Sequence, residues 1–111
     1  MVNIEGNRIA MVRGDTAKIT VDITDTDGTP YVPLAGDSIR FAVKRRYTDS
    51  QVLIQKEISN ATLSFTIDPE DTKRLKMGVQ GKYVYDVEIT QADGTVDTFI
   101  RGRLWLLEEV D

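Results

Sequence analysis

The sequence predicts an all-β fold, an immunoglobulin-like antiparallel β-sandwich of about seven strands with one short helix near 69–75. Three observations predict it. Apolar and polar residues alternate along several stretches, glycine- and proline-bearing turns separate those stretches, and only one segment carries helix-start chemistry. A partly open barrel is the alternative architecture. With 111 residues the chain is the size of one domain, 1–111, and long enough to bury a core without disulfides or metal.

The alternation is clearest in Thr16–Thr24, where Ala17, Ile19, Val21 and Ile23 point one way and Thr16, Lys18, Thr20 and Asp22 the other. It recurs in Ser38–Tyr47, with Ile39, Phe41 and Val43 inward, and in Lys82–Thr90, with Tyr83, Tyr85, Val87 and Ile89 inward. Thr62–Ile67 reads as a short strand and Arg8–Val12 as a first one. Val52–Ile58 is mixed on both faces, the pattern of an edge strand that either accepts a strand from a neighbour or uses Lys56 and Glu57 to discourage pairing. Thr95–Glu108 is a long strand in which Gly102 predicts a kink or bulge. The apolar run from Leu104 to Leu107 after it predicts that Trp105 is core.

Asp27–Gly28 and Asp93–Gly94 are tight-turn dipeptides. They end two similar stretches, VDITDTDGT at 21–29 and VEITQADGT at 87–95, for which convergent turn chemistry is the first explanation and internal duplication of a hairpin the other. Gly28–Gly36 holds Pro30 and Pro33 and reads as a loop. At Pro69–Leu75, Asp68 is a helix cap, Pro69 suits the first helical position, and Glu70 and Asp71 favour the positive end of the dipole. Gly78 and Gly81 end the helix.

Composition excludes several chemistries. There is no cysteine and no histidine, so thiol nucleophiles, Cys-type zinc sites, imidazole bases and His-dependent triads cannot be built from this chain. Carboxylates such as Asp68, Asp71, Asp86, Glu88 and Glu109 remain for acid–base work, but a domain of this size has little room for a deep cleft beside its core. The expectation is no enzyme, no cofactor, no metal and no small-molecule substrate. The balance of 14 basic and 18 acidic side chains gives −4, which disfavours nucleic acid as the main partner. No apolar run is long enough to span a bilayer, so no membrane partner is expected.

Four features invite a functional reading. Arg13-Gly14-Asp15 matches an adhesion tripeptide and equally suits a tight turn. Asp25, Asp27 and Gly28 begin like a calcium loop, but the twelfth position is Gly36 where a glutamate is required. Tyr31, Tyr47, Tyr83, Tyr85 and Trp105 would make a sugar-stacking platform if exposed, although Tyr83 and Tyr85 sit at core positions of the alternation. Lys44, Arg45 and Arg46 form the one dense basic cluster; Arg40, Lys44 and Arg46 share a strand face, and Lys56 marks the edge strand. The cluster suits phosphate or an acidic partner surface, and Arg40, Lys44, Arg46 and Lys56 are the candidate partner contacts.

Taken in order, these segments resemble the small β-sandwich domains of phage tail and baseplate proteins, closest to the N-terminal domain of the phage baseplate upper protein family. The resembling run is Arg13-Gly14-Asp15-Thr16, Asp27-Gly28, the basic strand Ser38–Arg46, Pro69-Glu70-Asp71-Thr72 with Leu75, and Gly81-Lys82-Tyr83-Val84-Tyr85-Asp86-Val87. It continues through Asp93-Gly94-Thr95-Val96 with Thr98, and ends at Gly102-Arg103-Leu104. Baseplate upper proteins continue into further domains, whereas this sequence stops at Asp111. The resemblance implies a virion structural protein of a phage or prophage, made in the bacterial host cytoplasm, built into the tail and binding other tail or baseplate proteins or copies of itself. The alternative is an adhesion or carbohydrate-binding module.

Overall fold

A computed structural model of the chain describes residues 2–5 (as backbone), 7–23, 28–75 and 82–108. Expectations placed on Thr24, Asp25, Asp27, Gly78, Gly81 and Glu109 lie outside the described residues. The described chain is all-β with one short helix, as the alternation predicts. Its strands are β1 (Val2–Glu5), β2 (Arg8–Val12), β3 (Ala17–Thr20), β4 (Ser38–Lys44), β5 (Ile54–Ile58), β6 (Ser64–Ile67), β7 (Lys82–Thr90) and β8 (Val96–Leu107). The helix α1 spans Pro69–Lys73.

Six strands form one curled sheet in the order β1-β2-β8-β7-β4-β5, and β3 pairs with β6 in a second, small sheet. One pairing departs from the antiparallel expectation. β2 runs parallel to β8, with Arg8 beside Arg103 and Val12 beside Leu107, while β1 pairs antiparallel with β2. No local pattern encodes this, because the two partners lie at opposite ends of the sequence. Strand β1 was also not anticipated; Gly6-Asn7, a two-residue hairpin signature between short alternating runs, was the available signal.

The sheets share one core. Phe65 of β6 lies against Phe41 of β4 with ring centroids 4.4 Å apart, and Phe41 meets Tyr85 of β7 at 5.2 Å. Ile19, Ile39, Val43, Ile54, Ile58, Ile67, Val87, Ile89, Leu104 and Leu106 fill the rest. The chain passes from the large sheet to the small one at the β5–β6 turn, where Ser59 N–H donates to Ser64 O at 3.2 Å and Leu63 N–H donates to Ser59 O at 2.7 Å. Leu63 takes the turn with φ of 51°.

Gly102 does not mark the bulge. The register of β7 with β8 slips three residues before it, where Val87 faces Ile100 but Glu88 faces Thr98, and Phe99 is the extra residue. That bulge re-aims Phe99 toward Tyr31 of the long loop, at 5.5 Å between ring centroids. Gly102 instead answers a close approach. It lies opposite Tyr85, and a Cβ there would fall 1.9 Å from Asn7 O and 2.9 Å from two carbons of the Tyr85 ring. The missing side chain leaves the space in which that ring crosses β8, and Tyr85 OH donates to Asn7 O at 2.8 Å. The aromatic side chain thereby covers the glycine from the neighbouring strand.

The predicted turns take the conformations their residues favour. Gly28 and Gly94 both have positive φ, 86° and 92°, and Gln91 N–H donates to Thr95 O across the β7–β8 hairpin. The Thr95 backbone N–H also donates to Asp93 Oδ1 at 2.9 Å, which holds that carboxyl below its ordinary value. Helix α1 starts as its sequence suggests: Asp68 N–H donates to Asp71 Oδ2 at 2.8 Å. Arg13-Gly14-Asp15 is a turn between β2 and β3, closed by Asp15 N–H on Val12 O. Its arginine is bound inward, donating to the carbonyls of Lys73 and Leu75 at the end of α1, and Gly14 N–H donates to the buried Thr72 hydroxyl at 2.8 Å.

Candidate interaction surface

The four sequence-predicted contacts do not come together. Arg40 and Lys44 lie on the outer face of the curled sheet, turned away from the core, and Arg40 bonds Glu88 at 3.1 Å. Strand β4 ends at Lys44, so Arg46 lies in the following bend, mostly exposed and 3.5 Å from Asp49. Lys56 has the parity of buried Ile54 and Ile58, opposite to Arg40 and Lys44. There its ammonium bonds Asp71 at 2.7 Å and Asp68 at 3.1 Å, a fastening between β5 and the start of α1. The edge expected at Val52–Ile58 is an edge of the sheet, but Lys56 is engaged within the chain rather than offered to a neighbour.

The register builds a different cluster. Outward positions of β2, β8 and β7 bring Arg8, Arg103, Trp105 and Lys82 together, because Arg8 pairs with Arg103 and Lys82 with Trp105. Trp105 is not core: it points outward and is half-buried, while Leu104 and Leu106 on either side carry the core contacts. The Arg8 guanidinium lies 4.5 Å from the Trp105 ring centroid and the Lys82 ammonium 5.2 Å. A second stack lies beside it, with Arg101 4.0 Å over the ring of Tyr47. Tyr47 is held by its hydroxyl, which donates to Gly102 O at 2.8 Å and to Tyr85 O at 3.1 Å. Lys82, Arg101 and Arg103 are exposed. Sequence reading missed this group because its members are adjacent only through strand pairing.

The same face carries the three buried side-chain polar atoms without a partner among the described residues: Arg40 Nε, Asp86 Oδ1 and Trp105 Nε1. Such atoms each cost about 1–3 kcal/mol when left unpaired. Arg40 and Asp86 border a shallow depression of about 140 Å³ that Ala42, Val84 and Tyr47 also line.

Between the sheets is a second hollow, about 280 Å³, lined by Ile9, Ile19, Phe41, Phe65, Tyr85 and Val87. Apolar side chains predominate in its lining, with Asn7, Thr20 and Asp22 adding polar groups and Asp22 the one carboxylate. Tyr83 and Tyr85 are buried, which removes both from any sugar platform. Among the described residues no three acidic side chains converge on a metal-sized site, and no helix is long and apolar enough to cross a membrane.

Burial, with Tyr47 nearby, pushes the Tyr85 hydroxyl up to about 12, and the bond to Asp71 raises Lys56 above its ordinary value. Both shifts predict alkaline loss of stability. The unfolded chain ionises its tyrosine near pH 10 while the folded one keeps the proton, so the Tyr85 contribution is intact below about 10 and disappears as pH climbs toward 12. The Lys56 contribution is present below about 10.5 and is lost as pH rises through its raised value. Urea midpoints measured from about pH 9 to 12 are expected to hold and then fall, with a shallower fall in Tyr85→Phe.

Comparison of the chain with protein-family models, curated proteins and solved structures gave no match. The surface geometry and the sequence resemblance therefore carry the functional reading.

Proposed function

We propose that this chain is a non-enzymatic structural module of a phage or prophage virion, made in the bacterial host cytoplasm and built into a tail or baseplate by binding other virion proteins. The observation that carries the reading is the outer face of the six-stranded sheet, where cations stacked on Trp105 and Tyr47 stand on a frame with a continuous core. Tryptophan, tyrosine and arginine are the residues that dominate binding energy at protein interfaces. The ordered resemblance to baseplate domains supplies the class of partner. Repeated copies around a tail axis would give closed rings.

The rival reading, an adhesion or carbohydrate-binding module, requires an aromatic ring face open to a sugar. Trp105 has Arg8 and Lys82 over its ring, and Tyr83 and Tyr85 are internal, so the geometry favours a protein partner. Deletion of the gene from its phage or prophage tests the proposal. Filled heads lacking complete tails are the expected yield; normal tails with undiminished adsorption to host cells would sink it.

A further inference from the structure

We infer that the Trp105 face recognises an acidic protein surface, an inference that rests on reading the chain as a binding module. The argument is charge placement. The chain as a whole is acidic, at −4, yet Lys82, Arg101 and Arg103 are exposed around Trp105 and Tyr47 on one side of one sheet, with Arg8, which stands opposite Glu5 in the register, over the Trp105 ring. Arg101 stands opposite Asp86 in the register, but its guanidinium lies over Tyr47. Arg40 and Glu88 neutralise each other further along the face. The end of the face around Trp105 is thus a local positive field on a negative molecule, complementary to carboxylates.

The stacking adds a second reason. A guanidinium or ammonium resting on a ring is partly ordered before any partner arrives, so less side-chain freedom is lost on docking. Arginine in that state offers a planar fork matched to a carboxylate, with two parallel hydrogen bonds. A long polyanion fits less well. Its affinity grows with the number of phosphates neutralised, and here the cations are few and interleaved with Asp86 and Glu88, on a chain whose net charge is −4.

Trp105 is the one tryptophan, so its emission reads this face alone. The probe is a capped oligoglutamate peptide, titrated at low salt, with polyphosphate and a single-stranded oligodeoxynucleotide of equal charge as comparison arms. A saturable change in emission is expected with the peptide. Arg101→Glu with Arg103→Glu should weaken it about tenfold or more, whereas Lys18→Glu with Lys73→Glu, exposed and away from this face, makes the same change in net charge and should weaken it less than about twofold. Circular dichroism and thermal melting check that both double variants fold; should the first not fold, Arg101→Gln with Arg103→Gln replaces it with the same expectation. No emission change, equal loss in both double variants, or tighter binding to either polyanion would overturn the inference. A failed titration beside a tail-less deletion phenotype faults the assigned partner chemistry alone. A normal deletion phenotype beside a charge-reversible titration faults the virion role alone.

Discussion

Gly102→Ala is expected to destabilise the chain by more than about 3 kcal/mol, enough to leave much of it unfolded at ordinary temperature. The added methyl would sit 1.9 Å from Asn7 O, a backbone atom, and 2.9 Å from the Tyr85 ring. Neither neighbour can move independently. Asn7 O accepts from both Arg103 N–H and Tyr85 OH, and the Asn7 side-chain amide donates to Arg101 O. Relieving the clash means lifting the start of β2 off β8. Gly94→Ala is the control. Gly94 has φ of 92° and nothing within 4 Å of an added Cβ, so its cost is the left-handed backbone penalty of about 1–2 kcal/mol. Removing the ring as well, in Gly102→Ala with Tyr85→Ala, should restore little, since the backbone contact remains. Denaturant midpoints rank the three variants; a Gly102→Ala cost no greater than that of Gly94→Ala would refute the close-approach account.

Phe41→Ala should cost about 3–5 kcal/mol, the range for a fully enclosed aromatic. Phe41 is wholly buried and joins the two sheets through Phe65 on one side and Tyr85 on another. It also lines the hollow of about 280 Å³, so its removal enlarges an existing void instead of opening a new one beside packed atoms. The loss should be uneven. Strands β3 and β6 make up a two-stranded sheet whose attachment depends on Phe65, and their amides should exchange with solvent faster than those of β7. Uniform acceleration across β7 and β3 would mean that Phe41 holds the whole core and not this junction.

Alternation exposed most of the strands because one face of each is buried and a pleat reverses at every residue. Lys82–Thr90 is legible to its ends, and the start of the helix expected at Pro69–Leu75 is legible because cap and first-turn residues act locally, although the helix ends at Lys73. What failed was whatever depends on partners distant in sequence. The parallel β2–β8 pair leaves no local trace. Gly102 predicts a kink because a glycine's local meaning is flexibility, whereas here its role is set by Tyr85 of β7 and by Asn7 in the turn before β2. The apolar run around Trp105 predicts core, but in a strand a run of four apolar residues still divides between two faces. The candidate surface suffered most for the same reason. The basic run at Lys44–Arg46 is dense in sequence and dispersed in space, while Arg8, Lys82, Arg101 and Arg103 are dispersed in sequence and adjacent on the sheet.

The β1–β2–β8 ladder also sets where the chain's ends emerge. Val2 pairs with Met11, and Met11 pairs with Leu106, so the first and last strands leave the sheet on the same side, two strand spacings or about 10 Å apart. A short glycine–serine tether could bridge that gap, and new termini cut at the Asp93–Gly94 tip would leave every ladder intact. Such a circular permutant would keep the fold while making the old last strand the first of the polypeptide.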